Sequence, residues 1–239
     1  MKKFIGFILL FAAVTLNFVS CKSTDEPVAP KLPSTPEAKA TYDSNSGGII
    51  KGIMVGSSGI FKFSLKNGND SIYCKVTFDG ATGMLYTTDL NSWNPGNAIN
   101  NAKFTGRIGT TDIAVYLWCA GSGGNIVVSF QITGHNIVTT VLKETSTVLV
   151  KGYEGTYKST KLSDNSTVDE GIFNFLVAGN YMYGQRRSIT HSTDYGIKGT
   201  ISGSTLTVDG KIMTIDDQTV SATITNDGEK LVVSGKRTM

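Results

Sequence analysis

Two histidines, His135 and His191, are the only imidazoles available for acid–base work in this 239-residue chain. His191 lies in "THSTDY", beside Ser192 and close to Asp194, the residue types of a nucleophile, a base and an orienting acid. A Ser/His/Asp site needs the three side chains to converge next to oxyanion donors. Successive residues of a strand project to opposite faces, so these three cannot all meet. His135, in "TGHN", reads as a surface residue of a strand-connecting turn. The neighbouring acids Asp169-Glu170 and Asp216-Asp217 diverge for the same reason, whereas glycoside hydrolysis needs two carboxylates facing across a cleft. "DLNSWN" gathers Asp89, Asn91 and Asn94 without the regular spacing or closing Glu of a calcium loop. No phosphate-cradling glycine motif opens a helix, and no CxxC or Cys/His cluster suggests a metal. The residue supply therefore points away from an enzyme and from any cofactor. A hydrolase using His191 and nearby carboxylates is the catalytic alternative.

Aromatic residues are the better candidates. Tyr86, Trp93, Tyr181, Tyr183 and Tyr195 stand near turns in polar surroundings, and Arg186 and Arg187 lie close to the last three. Aromatic planes flanked by hydrogen-bonding groups suit a glycan, a small apolar ligand or a protein segment. Tyrosine and tryptophan are also common strand residues with one wet end. Trp93, beside Pro95 in a loop, is the one that this plainer reading fits least. The formal charge is only +3, and Arg186-Arg187 is an isolated basic doublet rather than a patch, which excludes nucleic acid as a partner.

Strands must position these side chains. After Gly48 the sequence alternates apolar and polar residues: Phe61, Phe63 and Leu65 against Lys62 and Ser64, then Ile126, Val128, Phe130 and Ile132. Turn dipeptides recur at Asn67-Gly68, Asp79-Gly80, Asp209-Gly210 and Asp227-Gly228, each beside a strand-like run. The spacing predicts fourteen to sixteen short strands and an all-β fold of antiparallel meander barrels or a sandwich. "WNPGNAINNA" is the one helix candidate, with Asn94 as cap and Pro95 in the first position. "GIFKFSL" at 59–65 is echoed by "GIFNFLV" at 171–177, which predicts two related β units, 49–150 and 151–239. Cys74 shares a strand face with Ile72 and Val76, and Cys119 with Val115 and Leu117, so both point toward apolar surface. That placement fits a core disulfide or a pair of buried thiols, and the thiols are preferred.

The N-terminus is of a different kind. Lys2 and Lys3 precede an apolar run to Val19, the plan of an export signal over residues 1–20 and too short for a confident membrane span. Phe18-Val19-Ser20-Cys21 resembles the bacterial lipobox, whose cysteine is acylated when the signal is removed; Phe18 departs from the usual leucine. That resemblance implies a lipid anchor on Cys21 and lowers the mature charge to +1, because Lys2 and Lys3 leave with the signal. Pro27, Pro30, Pro33 and Pro36, four of the five prolines, fall within 21–48, which composition marks as a disordered tether.

Further resemblances extend over most of the chain. "GYEGTY" at 152–157 is similar to the first strand of calycin-type barrels, and "VVSGKRT" to the closing strand of small exported barrels. With the lipobox and the tether, the layout resembles surface lipoproteins of Bacteroidota carrying calycin- or avidin-like β-barrel repeats. Such proteins display acidic residues after the lipidated cysteine when exported to the cell surface, and Asp25 and Glu26 match that pattern or are ordinary linker composition. The resemblance implies a membrane-held protein of the outer membrane, facing outward or toward the periplasm, that acts by noncovalent binding. A purely structural or adhesive lipoprotein is the first alternative.

Overall fold

Alternation becomes strand throughout the part of the chain that the computed structural model describes, residues 32–239. Sixteen antiparallel strands fall into two consecutive sets of eight among these residues. The first set comprises β1 (Gly48–Val55), β2 (Gly59–Leu65), β3 (Ile72–Phe78), β4 (Ala81–Leu85), β5 (Ile99–Ile108), β6 (Thr111–Cys119), β7 (Val127–Ile132) and β8 (Val138–Glu144). It forms two sheets, β4-β3-β2-β1-β8 and β5-β6-β7. The sheets meet edge to edge at two seams. At one, Tyr86 and Thr105 exchange backbone hydrogen bonds of 3.0 and 2.9 Å. At the other, the Thr139 hydroxyl donates to the Val128 carbonyl at 2.9 Å. Phe61, Phe63, Phe104, Val115 and Leu117 fill the space enclosed.

The second set closes completely. β9 (Val150–Lys161), β10 (Thr167–Ala178), β11 (Tyr181–Ser188), β12 (Thr193–Ser202), β13 (Thr205–Val208), β14 (Lys211–Ile215), β15 (Thr219–Asn226) and β16 (Glu229–Arg237) follow one another around a barrel. β9 seals it by pairing with both β10 and β16. Three of the four expected turn dipeptides form two-residue hairpin loops. Both central residues have positive φ at Asp79-Gly80 (47° and 80°), Asp209-Gly210 (48° and 75°) and Asp227-Gly228 (49° and 79°), as a type I′ turn requires. Asn67-Gly68 lies in a longer loop between β2 and β3.

The repeated "GIF" segments occupy the second strand of each set, in the same register. Phe61 lies opposite Gly52 of β1, and Phe173 lies opposite Gly155 of β9. In both pairs the phenylalanine ring covers the glycine so closely that a Cβ there would collide with it. The next inward pairs are Phe63 with Ile50 and Phe175 with Tyr153.

Between the two sets, Ile53, Val150, Leu176 and Met239 form a small shared core. The buried Asn174 amide donates to the Met54 carbonyl at 2.7 Å. A buried ion pair, Lys51 Nζ to Glu144 Oε2 at 2.6 Å, lies at the same junction. Both groups are well satisfied: Lys51 also donates to the Val150 carbonyl, and Glu144 accepts from the backbone amides of Glu37, Ala38 and Val150. A buried charge pair survives only with such additional partners.

Two expectations are corrected here, and one left open is decided. The tether does not extend to 48. Residues 33–47 pack on the body, with Glu37 bridging Lys51 (3.2 Å) and Lys62 (2.6 Å), Ala38 buried, and Asp43 held by the amide and hydroxyl of Ser146. Cys21, with residues 1–31 of the expected signal and tether, lies outside the described residues. "WNPGNAINNA" is not helical: it makes turns, with Gly96 at φ 98°, and then enters β5 at Ile99. Of the two readings open for Cys74 and Cys119, the preferred one holds: both are buried free thiols, and burial pushes both pKa values up.

Candidate ligand site at the barrel mouth

Which end of the closed barrel is open follows from its strand ends. At one end the lumen is plugged. Tyr153 and Phe175 stack there with ring centres 5.0 Å apart, and the Tyr153 hydroxyl donates to the Asp216 carbonyl at 2.7 Å. Arg237, also buried at this end, donates to the carbonyls of Met239 and Pro33. The opposite end, where the Asp209-Gly210 turn joins β13 to β14, opens into a cavity of about 230 Å³. Its wall is mostly apolar: Phe173, Ile197, Val208, Met213, Leu231 and Val233. Tyr157, Arg186 and Tyr195 complete the lining, with Asp209 and Lys211 from the β13–β14 hairpin.

Register explains why these three polar residues meet. Arg186 of β11 pairs with Phe173 of β10 on one side and with Tyr195 of β12 on the other. Tyr157 of β9 pairs with Gly171, where a Cβ would press on the tyrosine ring at 3.0 Å. The missing side chain lets Tyr157 lean toward Arg186. The guanidinium carbon lies 5.2 Å from the Tyr157 ring centre and 4.8 Å from that of Tyr195, both within cation–π range. The Tyr157 hydroxyl donates to Asp169 at 3.1 Å, and Ser188 donates to the other oxygen of that carboxylate at 2.6 Å. Burial, then the bond to Asp169, pushes the Tyr157 pKa up to about 12, so its hydroxyl stays a donor at neutral pH. Arg186 has a buried Nε with no hydrogen-bond partner.

Of the six residues singled out from the sequence as ligand candidates, the fold brings Arg186 and Tyr195 into this mouth. Tyr181 and Tyr183 project from the outer face of β11, 58% and 41% exposed. Tyr86 is 60% exposed at the β4–β5 seam. Trp93 is 7% exposed in the first core, where its indole N–H donates to the Asn97 carbonyl at 3.0 Å. Tyr157, Phe173 and Asp169 were not among the candidates. "GYEGTY" contained the tyrosine, but only the pairing of Tyr157 with Gly171 reveals where its ring goes.

The catalytic candidates disperse. Asp194 is held by Arg187 through two bonds of 2.5 and 2.7 Å, and His191 sits exposed in the turn before β12. A different trio does assemble on the surface: Ser57 Oγ lies 2.9 Å from Asp79 Oδ2 and 3.1 Å from His135 Nδ1. Both partners contact the serine, and the acid does not orient the imidazole, which is the reverse of a nucleophile-activating relay.

No protein-family model matches this chain, and no curated protein matches it in sequence. The solved structure of MucB in complex with MucA(peri) aligns over 84% of this chain and 90% of that one, at 10% identity and a TM-score of 0.13. A score that low carries no weight for fold or function.

Proposed function

We propose that this is a lipid-anchored protein of the cell envelope that binds a small, largely apolar ligand in the mouth of its closed barrel. The cavity carries the reading. It is concave, open at one end, walled by aliphatic and aromatic side chains, and supplied with a few convergent polar groups, as small-molecule sites are. Its wall favours a small apolar ligand over a glycan, because six of its residues offer a sugar's hydroxyls no side-chain partner. A first test is calorimetric titration with small aromatic probes, compared between the native chain and Leu231→Trp, which fills the cavity. Binding that survives Leu231→Trp unchanged rules out this site.

The anchor rests on the lipobox-like residues around Cys21. Pro33 meets Arg237 at the plugged end of the barrel, so the chain enters the body opposite the mouth. Metabolic palmitate labelling that disappears in Cys21→Ala supports the anchor, and labelling that persists contradicts it. Tyr181 and Tyr183, exposed side by side on β11, favour a second reading, in which the outer barrel face contacts a protein.

A further inference from the structure

The barrel mouth holds a cation that nothing in the described chain answers. Arg186 has no carboxylate within salt-bridge distance among the described residues, unlike its neighbour Arg187, which is paired with Asp194. Its Nε is shut off from solvent with no acceptor. Asp169, the lumen-facing acid of β10, is occupied by the Tyr157 and Ser188 hydroxyls. The Tyr157 and Tyr195 ring faces balance part of the charge but accept none of the guanidinium's directed N–H bonds. A buried donor without a partner is costly, and sites that persist in leaving one are commonly completed by something else.

We infer that the occupant is a small organic monocarboxylate, its carboxylate on Arg186 and its apolar or aromatic body against Phe173, Ile197, Val208 and Met213. This deepens, and rests on, the reading of the mouth as a ligand site. A guanidinium presents parallel N–H donors that match a carboxylate's two oxygens. Asp209 and Lys211 at the rim offset each other, so Arg186 leaves one positive charge to balance; a dianion would leave a surplus charge against an apolar wall, which is strongly unfavourable. Size sets a further limit. At about 230 Å³ the cavity falls below the roughly 300–1,000 Å³ typical of drug-sized ligands, so one ring or a short branched chain fills it.

Benzoate and its neutral isostere benzamide separate the two levels of the claim. Calorimetric titration of the full chain should show benzoate binding at least tenfold more tightly than benzamide. Arg186→Gln should remove that difference and leave benzamide affinity within about twofold. Equal affinities in the native chain would overturn the carboxylate assignment while leaving the mouth as a ligand site. Binding of neither probe, or undiminished binding of both to Leu231→Trp, would overturn both. The native-chain comparison decides the matter even if Arg186→Gln fails to fold.

Discussion

The two eight-stranded sets share a frame and differ in what they put inside it. Pairing the strands position by position, Val76 and Gly83 of the first set stand where Arg186 and Tyr195 stand in the second, and Met54 stands where Tyr157 does. The first set spends these positions on packing: Val76 and Met54 are fully buried, and Phe61 meets Phe63 and Phe130 edge-on or tilted at 5.9 and 5.0 Å. The second set packs only its plugged half and leaves a polar, aromatic-rimmed space at the other end. The same ladder of backbone bonds therefore supports a packed interior in one case and an interior open at one end in the other. What distinguishes the two interiors is three side chains on inward-facing register positions rather than the strand frame itself.

The junction that joins the sets is where the comparison breaks most severely. Glu144→Ala removes an acid that holds Lys51 and three backbone amides, and should cost about 3–5 kcal/mol in denaturant unfolding. Replacing Lys51 and Glu144 together with apolar residues of similar size should cost much less, because no charge is then left stranded. A loss in the double variant equal to that in Glu144→Ala would contradict this account of the junction.

The shared frame is sharpened by its glycines. Gly52→Ala and Gly155→Ala each drive a methyl into the phenylalanine ring above, and each should cost about 1–3 kcal/mol through overpacking. If one is costly and the other neutral, the two Phe-over-Gly pairs are not equivalent. A smaller effect follows from the tyrosines. Burial raises the pKa of Tyr153 and Tyr157 to about 12 each. An acid whose pKa rises on folding stabilises the fold below its unfolded pKa of about 10 and loses that contribution as the pH approaches the folded value. Stability should therefore fall between pH 10 and about 12, in step with the phenolate absorbance band, and Tyr157→Phe should flatten the fall. The smallest effect is expected for Arg186→Leu. Relief of the unpartnered Nε offsets the loss of two cation–π contacts, so stability should stay within about 1 kcal/mol of the native chain. A larger loss would make Arg186 a structural residue.

Local chemistry made much of the fold legible. Alternation in "GIFKFSL" and the Asp-Gly dipeptides act through neighbouring residues, and both became the strands and I′ turns they describe. What depends on distant pairing was not legible. Residues 33–47 carry prolines and few large apolar side chains, yet the Glu144 carboxylate, some 107 residues away, captures the amides of Glu37 and Ala38 and pins the segment down. Trp93 looks exposed beside Pro95, but its indole finds a carbonyl four residues on and the ring turns into the core. At the mouth, Arg186 and Tyr195 were visible as types, while their convergence with Tyr157 required the register of three strand pairs.

The proposal that the ligand enters the open mouth of the second set and not the packed interior of the first is tested most directly by mapping amide chemical shifts during a benzoate titration. The account predicts saturable shifts centred on Tyr157, Arg186, Tyr195, Ile197 and Met213, with the amides around Phe63 and Trp93 unmoved. Shifts centred on the first set, or none at saturating benzoate, would contradict it.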